Sequence, residues 1–248
     1  MNEATLPAQL YYLHHSQVID DLPYWLQLAQ AKDGPLLELG CGTGRVLRYL
    51  AKAGQIIYGI DYDAQMLKFL QSTLPSAMQQ SVHLVQADIT AFHFQQEFGL
   101  IILPCNTLST LTSSAQRKAL ICVRQHLCED GIFAVSMPNP SLLADLSSDG
   151  ETNVEDTFPH PQSGEPIQVS SEWVCTEQAV TFHWHYDHLL ANGRVTRFTV
   201  SIKHFLQSVQ AVEKIFFQAG FSKTAKYGDY NQNPYHAESP YLIIQAHC

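Results

Sequence analysis

The 248 residues are 46% hydrophobic and 15% charged, a composition that supports a folded core and argues against intrinsic disorder. The length suits one α/β domain with a small insertion. The formal net charge is −9, and Lys and Arg form no extended run. A nucleic-acid backbone or an anionic membrane is therefore a poor partner for this surface.

The six cysteines and the N-terminus predict a cytoplasmic protein. None of the cysteines forms a C-x-x-C pair, and several lie inside apolar runs, where a reduced thiol behaves as a small hydrophobe. The N-terminal sequence MNEATLPAQLYYLHH lacks the basic and apolar regions of a signal peptide. No apolar run approaches the ~20 residues that a membrane-spanning helix needs.

Helix and strand patterns alternate through residues 20–138. A first helix in DDLPYWLQLAQAKDG precedes the buried strand PLLELG, the helix RVLRYLAKAG, the strand QIIYGID and the helix AQMLKFLQSTLP. The strands VHLVQAD and GLIILP, the helix SSAQRKALICVRQHLCEDG and the strand GIFAVSMP follow. This alternation predicts parallel strands joined by right-handed crossovers, and therefore a doubly wound sheet.

The pattern changes after residue 138. Residues 141–166 are polar and rich in Gly, Pro, Ser and Asp, which predicts a long loop. Three β-type segments follow, and the Asn-Gly of ANGR between the last two is a hairpin signal. We therefore predict an antiparallel β insertion over 165–206, a lid, within a single domain spanning 1–248. The helix SVQAVEKIFFQAG and the strands FSKTAKYG and SPYLIIQAHC complete the chain.

The stretch LLELGCGTGR carries a glycine loop behind a buried strand. Gly40, Gly42 and Gly44 have the spacing G-x-G-x-G, and Arg45 stands where a dinucleotide fingerprint has its third glycine. Glu38 at the mouth of the loop would oppose a pyrophosphate. The loop therefore favours a ligand with a cationic amino end.

Two acids follow the next two strands. Asp61 ends the second strand, where a carboxylate can accept hydrogen bonds from both hydroxyls of a ribose. Asp88, in QADI, can accept from the exocyclic amine of an adenine. The carboxyl ends of parallel strands line one crevice, so we expect the loop and both acids to meet there.

These motifs resemble those of class I S-adenosylmethionine-dependent methyltransferases. The segments that carry the resemblance are LLELGCGTGR, GIDYDAQML, QADI and LIILPCNTLSTL, and it extends over nearly the whole chain. The tail AGFSKTAKYGDYNQNPYHAESPYLIIQAH is similar to that of the small-molecule branch, which includes sugar N,N-dimethyltransferases and glycine-type N-methyltransferases. The resemblance implies a Rossmann-like, doubly wound, mostly parallel seven-stranded sheet with an antiparallel β lid between strands 5 and 6.

The resemblance also implies a set of contacts with S-adenosylmethionine, which would leave as S-adenosylhomocysteine. The methionine moiety would lie on the glycine loop, the ribose at Asp61 and the adenine at Asp88. An aromatic residue near the N-terminus, Tyr11 or Tyr12, would close over the cofactor. The implied cofactor-binding residues are Tyr11, Tyr12, Glu38, Gly40, Cys41, Gly42, Gly44, Arg45, Asp61, Tyr62, Met66, Asp88, Ile89, Pro104, Cys105 and Asn106.

Candidates for the acceptor site come from the lid and the tail. His183 and His185 share one face of a strand, which is either a packed or solvated face or the lid face over the acceptor. In the second case each is a candidate general base, together with Tyr12. The predicted substrate-binding residues are Asn106, Trp173, His183, His185, Arg197, Tyr227 and Tyr230. HWHYDH lacks a matching carboxylate for a metal site, so we expect no metal.

The predicted function is methyl transfer to a small-molecule acceptor by in-line displacement, with N-methylation ahead of O-methylation. Two alternatives stay open. One is an oxidoreductase with a nicotinamide cofactor, against which Arg45 and Glu38 argue. The other is a non-catalytic S-adenosylmethionine-binding module. Neither the acceptor nor the choice between monomer and homodimer follows from the sequence.

Overall fold

The computed structural model describes residues 6–147 and 150–247. The helices are α1 (Leu6–His15), α2 (Leu22–Gln30), α3 (Arg45–Lys52), α4 (Ala64–Thr73), α5 (Ser113–His126), α6 (Pro140–Ala144) and α7 (Val209–Gln218). The strands are β1 (Leu36–Leu39), β2 (Ile57–Asp61), β3 (Val82–Gln86), β4 (Phe98–Leu103), β5 (Leu127–Pro138), β6 (Asn153–Pro159), β7 (Pro166–Cys175), β8 (Ala179–Leu189), β9 (Val195–Phe205), β10 (Lys223–Tyr227) and β11 (Tyr241–His247). Cys248, one of the six predicted thiols, and residues 1–5 of the N-terminal sequence lie outside the described residues.

Seven strands form the central sheet, in the order β10-β11-β5-β4-β1-β2-β3. β1 pairs in parallel with β2 and β4, and β5 pairs in parallel with β4. β11 runs antiparallel to both of its neighbours, so it is the one reversed strand of this sheet. The predicted Rossmann-like, mostly parallel sheet is confirmed.

Helices cover both faces of the sheet because its strands are apolar on both sides. In β1, Leu37 packs with Leu120 of α5 and Phe216 of α7, whereas Leu36 packs with Leu47 of α3 on the opposite face. Burial on both faces explains why these strands are continuous apolar runs rather than alternating ones. Among the described residues, no helix is both long and apolar enough to cross a membrane.

The lid is a separate four-stranded antiparallel sheet in the order β6-β7-β8-β9. It begins at residue 153, earlier than the predicted range, because β6 and the short helix α6 lie in the stretch predicted as a loop. β6 is an edge strand whose residues are mostly exposed. Hydrogen bonds to β7 hold β6 in place. Its sequence lacks the alternation of apolar and polar residues that would predict a strand.

Helix α1 was not predicted, because its sequence has neither a strong apolar stripe nor an acidic first turn. Its anchor is Leu10, which is buried with Ile167, Val169 and Tyr186 of the lid. Tertiary packing against the second sheet thus stabilises a helix whose own signals are weak.

Candidate active site

The glycine loop between β1 and α3 has a backbone that only glycine adopts readily. Gly40, Gly42 and Gly44 have φ of 63°, 51° and 83°. A Cβ on Gly44 would also lie 2.5 Å from Leu70 Cδ1. The loop therefore requires glycine for its conformation and, at Gly44, for its contact with α4.

Asp61 holds this loop against the end of β2. Its Oδ2 accepts a hydrogen bond from the Gly42 N–H at 2.8 Å, and its Oδ1 accepts from the Asp63 N–H at 2.9 Å. Burial raises the pKa of Asp61. Since a carboxylate oxygen has two lone pairs, both oxygens keep acceptor capacity for a ligand.

A small cavity opens over the glycine loop at the carboxyl edge of the sheet. Its lining comes from α1, the glycine loop and the segment after β4: Tyr11, His15, Ser16, Glu38, Gly40, Cys41, Gly42, Thr43, Arg45, Val46, Pro104 and Cys105. Tyr12 instead packs outside it, with its ring 5.4 Å from that of Phe69 and under the Arg48 guanidinium. Of the two candidate tyrosines, the structure brings Tyr11 to the cavity.

Arg45 is neutralised by a forked ion pair beneath the cavity. Its Nη1 and Nη2 donate to the two carboxylate oxygens of Asp21 at 2.5 and 2.6 Å. Asp21 is buried and also accepts from Trp25 Nε1 at 2.8 Å. Arg45 Nη2 lies 2.7 Å from Cys105 Sγ. This fork links α3, the start of α2 and the segment after β4.

Glu38 is the polar residue in the cavity whose hydrogen bonds are incomplete. The side chain is 3% exposed, and in the described part of the chain its Oε2 has no hydrogen-bond partner. Burial raises its pKa to about 8. A buried carboxylate oxygen without a donor is a fitting partner for a cationic amino group, such as that of a methionine moiety.

The predicted ribose and adenine contacts lie further along the same edge. Asp88 is exposed two residues after β3, and its Oδ1 accepts from the Thr90 N–H. Ile89 is buried beside it. Tyr62 is 79% exposed after β2, and Met66 is half-buried in the first turn of α4. The parallel strands thus bring these residues to the edge that carries the glycine loop.

The segment after β4 has a strained backbone. Cys105 and Asn106 have φ of 58° and 69°, a left-handed conformation that is uncommon for residues other than glycine. Both backbone N–H groups are held by β5, since Cys105 donates to Ser136 Oγ and Asn106 donates to Ser136 O, each at 3.2 Å. The segment is fixed at the mouth of the cavity, with Pro104 and Cys105 in its lining.

The structure does not bring His183 and His185 into the described lining of the cavity. They lie on the outward face of β8, where His183 Nδ1 is 2.7 Å from Ser201 Oγ and His185 Nδ1 is 2.9 Å from Thr199 Oγ1. The opposite face of β8 packs against α1. Strand alternation in the sequence shows that His183 and His185 share a face, but it does not show which face is inward. The bulky rings of Trp184 and Tyr186 pack inward, so the histidines lie on the other face.

Arg197 is not at the cavity either. It forms a forked ion pair with Asp187 on the outward face of the lid, with both distances at 2.7 Å. Arg197, which the sequence predicts as an acceptor-binding residue, thus lies on an exposed part of β9 outside the described lining of the cavity.

The other predicted acceptor residues divide between two places. Trp173 lies on the inward face of β7, and its Nε1 donates to Ser147 O at 3.2 Å. Tyr230 packs against Tyr24 and Trp25 of α2, with ring centroids 5.7 and 6.3 Å apart. Tyr227 packs into the core cluster on the α2 and α3 side of the sheet. Neither tyrosine belongs to the described lining of the cavity.

His15 is a cavity residue that the sequence reasoning missed. It follows Tyr11 by one helical turn, and the two ring centroids are 4.2 Å apart. Burial lowers its pKa to about 3, so the imidazole is neutral at physiological pH. The pair of aromatic residues four positions apart in YYLHH is a signal that could have indicated a shared helix face.

Comparisons with known proteins agree with this arrangement. Residues 36–131 match the family described as methyltransferase domain. The inferred methyltransferase YqeM of Bacillus subtilis (strain 168) is 23% identical over 254 residues, which cover 96% of this chain and 97% of YqeM.

Two solved structures share the fold over almost their whole length. An S-adenosylmethionine-dependent methyltransferase from Clostridium acetobutylicum has a TM-score of 0.77 at 15% identity, with 96% of this chain and 97% of that chain covered. The sugar N-methyltransferase KedS8 from Streptoalloteichus sp has a TM-score of 0.76 at 15% identity, with 97% and 92% covered. At these identities the similarity concerns the fold.

Proposed function

We propose that the chain is a class I S-adenosylmethionine-dependent methyltransferase that methylates a small molecule, with an amine nitrogen as the preferred acceptor atom. The observation that carries the proposal is Glu38, a buried carboxylate with an unpartnered oxygen beside a glycine loop. The name of KedS8, a sugar N-methyltransferase, supports nitrogen over oxygen. Methylation of a hydroxyl is the second candidate.

The residues present suit the cofactor. Glu38 would hold the amino group of its methionine moiety, and Asp61 would accept from the ribose hydroxyls. Asp88 would accept from the adenine amine, between Ile89 and the side chains of Tyr62 and Met66. The bound cofactor supplies an electrophilic methyl group on a sulfonium, whose leaving group is already activated.

The protein then has to position the acceptor and exclude water. The fixed segment of Pro104, Cys105 and Asn106 would face the acceptor at the mouth of the cavity. Tyr11 and His15 cover the cavity from α1. The neutral His15 imidazole is suited to hydrogen-bond an uncharged amine, which needs no strong base to react.

The net charge of −9 supports a small metabolite over nucleic acid or an anionic membrane. The Asp21 fork on Arg45 and the carboxylate of Glu38 disfavour the pyrophosphate of a nicotinamide cofactor. The intact segment after β4 argues against a module that binds the cofactor without turnover.

The test uses methyl-labelled S-adenosylmethionine with a small-molecule extract of the source organism, with products read by mass. We expect a labelled product whose fragmentation places the methyl on nitrogen. A label on oxygen would support the second candidate. Efficient methylation of tRNA or of a protein would contradict the small-molecule proposal.

A further inference from the structure

On the inward face of β7, β8 and β9, no position carries a charged side chain other than histidine, whereas Asp156 of β6 pairs with the inward Val169. The pairing register defines these inward positions as Ile167, Val169, Ser171, Trp173, Cys175, Val180, Phe182, Trp184, Tyr186, His188, Thr196, Phe198, Val200, Ile202 and His204. The acidic and basic residues of the three strands, such as Glu172, Asp187 and Arg197, fall on the outward face or at its edges.

Three aromatic rings continue along this face towards the cavity. The centroids of Trp173 and Phe182 are 6.3 Å apart, and those of Phe182 and Trp184 are 5.8 Å apart with their planes at 24°. Trp184 then meets His15, a cavity residue, edge-on at 6.4 Å. The rings of Phe182 and Trp184 are only partly buried.

The Phe182 and Trp184 pair also reaches the segment after β4. The ring of Phe182 lies 5.6 Å from that of His204, edge-on. His204 Nδ1 in turn is 2.8 Å from the hydroxyl of Ser109, which follows Cys105 and Asn106 by one short turn. The two rings thus extend from α1 to the segment that would face the acceptor.

The groups on either side of the pair are uncharged. Burial lowers the pKa of His15 and the pKa of His204, so both imidazoles are neutral near pH 7. A polyhydroxylated acceptor in this place would lose hydrogen bonds to water without finding enough partners. A flat apolar ring would instead gain aromatic contacts with the partly buried rings of Phe182 and Trp184.

We propose that the acceptor is a flat, uncharged aromatic amine and that Phe182 and Trp184 determine this specificity. The inference deepens the proposed function and rests on it. It separates this chain from an enzyme for amino sugars, despite the fold shared with KedS8.

The experiment compares two amines on the protein saturated with S-adenosylhomocysteine, by calorimetry. The probes are 3-aminoquinoline, which is flat and uncharged at neutral pH, and glucosamine, an amino sugar. We expect the aminoquinoline to bind at least about tenfold more tightly, and Trp184→Ala to remove most of that preference. Trp184→Phe, which retains an aromatic ring, should retain the preference for the aminoquinoline.

The matched control is His183→Ala, on the outward face of the same strand, which should leave the binding of both amines unchanged. Equal or tighter binding of glucosamine to the unmodified protein would overturn the inference without any variant. An equal loss of the preference for the aminoquinoline in Trp184→Ala and in His183→Ala would also overturn the inference. Failure of the unmodified protein to bind S-adenosylhomocysteine would instead contradict the proposed function.

Discussion

Glu38 shows how one side chain combines a cost in stability with a binding role. Its carboxyl is buried at the end of β1, and its Oε2 has no hydrogen-bond partner in the described chain. Its pKa of about 8 in the folded protein lies above the ordinary value of 4.5 for a glutamate. Ionised Glu38 therefore destabilises the free protein, and a bound cation would offset that cost.

We predict that Glu38→Gln separates stability from binding. Because the folded pKa is raised, wild-type stability falls as pH rises from about 4.5 to about 8, and the variant lacks this loss. The affinity for S-adenosylhomocysteine should fall roughly tenfold or more, because the charge on the amino group loses its partner. Denaturation of the two proteins at about pH 5 and about pH 8.5 measures the stability difference, and calorimetry measures the affinity for S-adenosylhomocysteine. Unchanged affinity would count against a cationic ligand group at Glu38.

The Arg45–Asp21 fork predicts a large cost for losing one partner. Both side chains are largely buried, at 13% and 3% exposure. Asp21→Asn would leave Arg45 without its counter-charge, so we expect a loss of roughly 3 kcal/mol in the free energy of unfolding. Glu238→Gln is the control, because Glu238 pairs with His236 in solvent and should give no measurable change. Similar losses in the two variants would refute the structural role of the fork.

At the scale of elements, α1 is held by its contacts with the lid rather than by its own sequence. Leu10 packs among lid residues, and His14 Nδ1 lies 3.0 Å from the hydroxyl of Tyr186. α1 also covers the cavity with Tyr11 and His15. We therefore expect its docking to control access to the cofactor site.

Acid should loosen α1 through His15. Its folded pKa of about 3 lies below the ordinary histidine value of 6.5, so the stabilisation is complete above about 6.5 and is lost as pH falls towards 3. We expect amide exchange in residues 6–15 to become faster over this range, after correction for intrinsic rates. His15→Asn should reduce this pH dependence, whereas His183→Asn on the outward face should not. An unchanged pH dependence in His15→Asn would exclude His15 as the cause.

At the scale of the whole molecule, the parallel sheet gathers residues from distant parts of the chain. β1, β2, β3 and β4 all end at one edge, where the glycine loop and the two acids lie. The antiparallel sheet and α1 then cover that edge. A ligand bound there contacts most of the fold, so binding should stabilise the whole protein.

Thermal denaturation distinguishes the candidate cofactors at this scale. A ligand specific for the native state adds about 2.7 kcal/mol at a concentration of 100 times its Kd. We expect S-adenosylhomocysteine to raise the Tm in a concentration-dependent manner, and NAD to leave it unchanged. A rise with NAD alone would revive the oxidoreductase alternative.

Most of the cofactor edge could be predicted because its signals are local. The glycines of the loop have left-handed backbones, and Asp61 follows directly after a buried strand. The acceptor side could not be predicted in the same way. His183, His185 and Arg197 satisfy a pattern that a pocket face would also show, but their partners are Ser201, Thr199 and Asp187.

The sequence by itself determined the class of sheet, the conformation of the glycine loop and the order of the acids along one edge. Each depends on residues that are close in the chain, through backbone preference, strand periodicity or strand ends. Only the tertiary structure decided which face of the lid is inward and that α1 covers the cavity with Tyr11 and His15. These depend on packing between segments distant in the chain, since a strand offers two faces and its partner selects one.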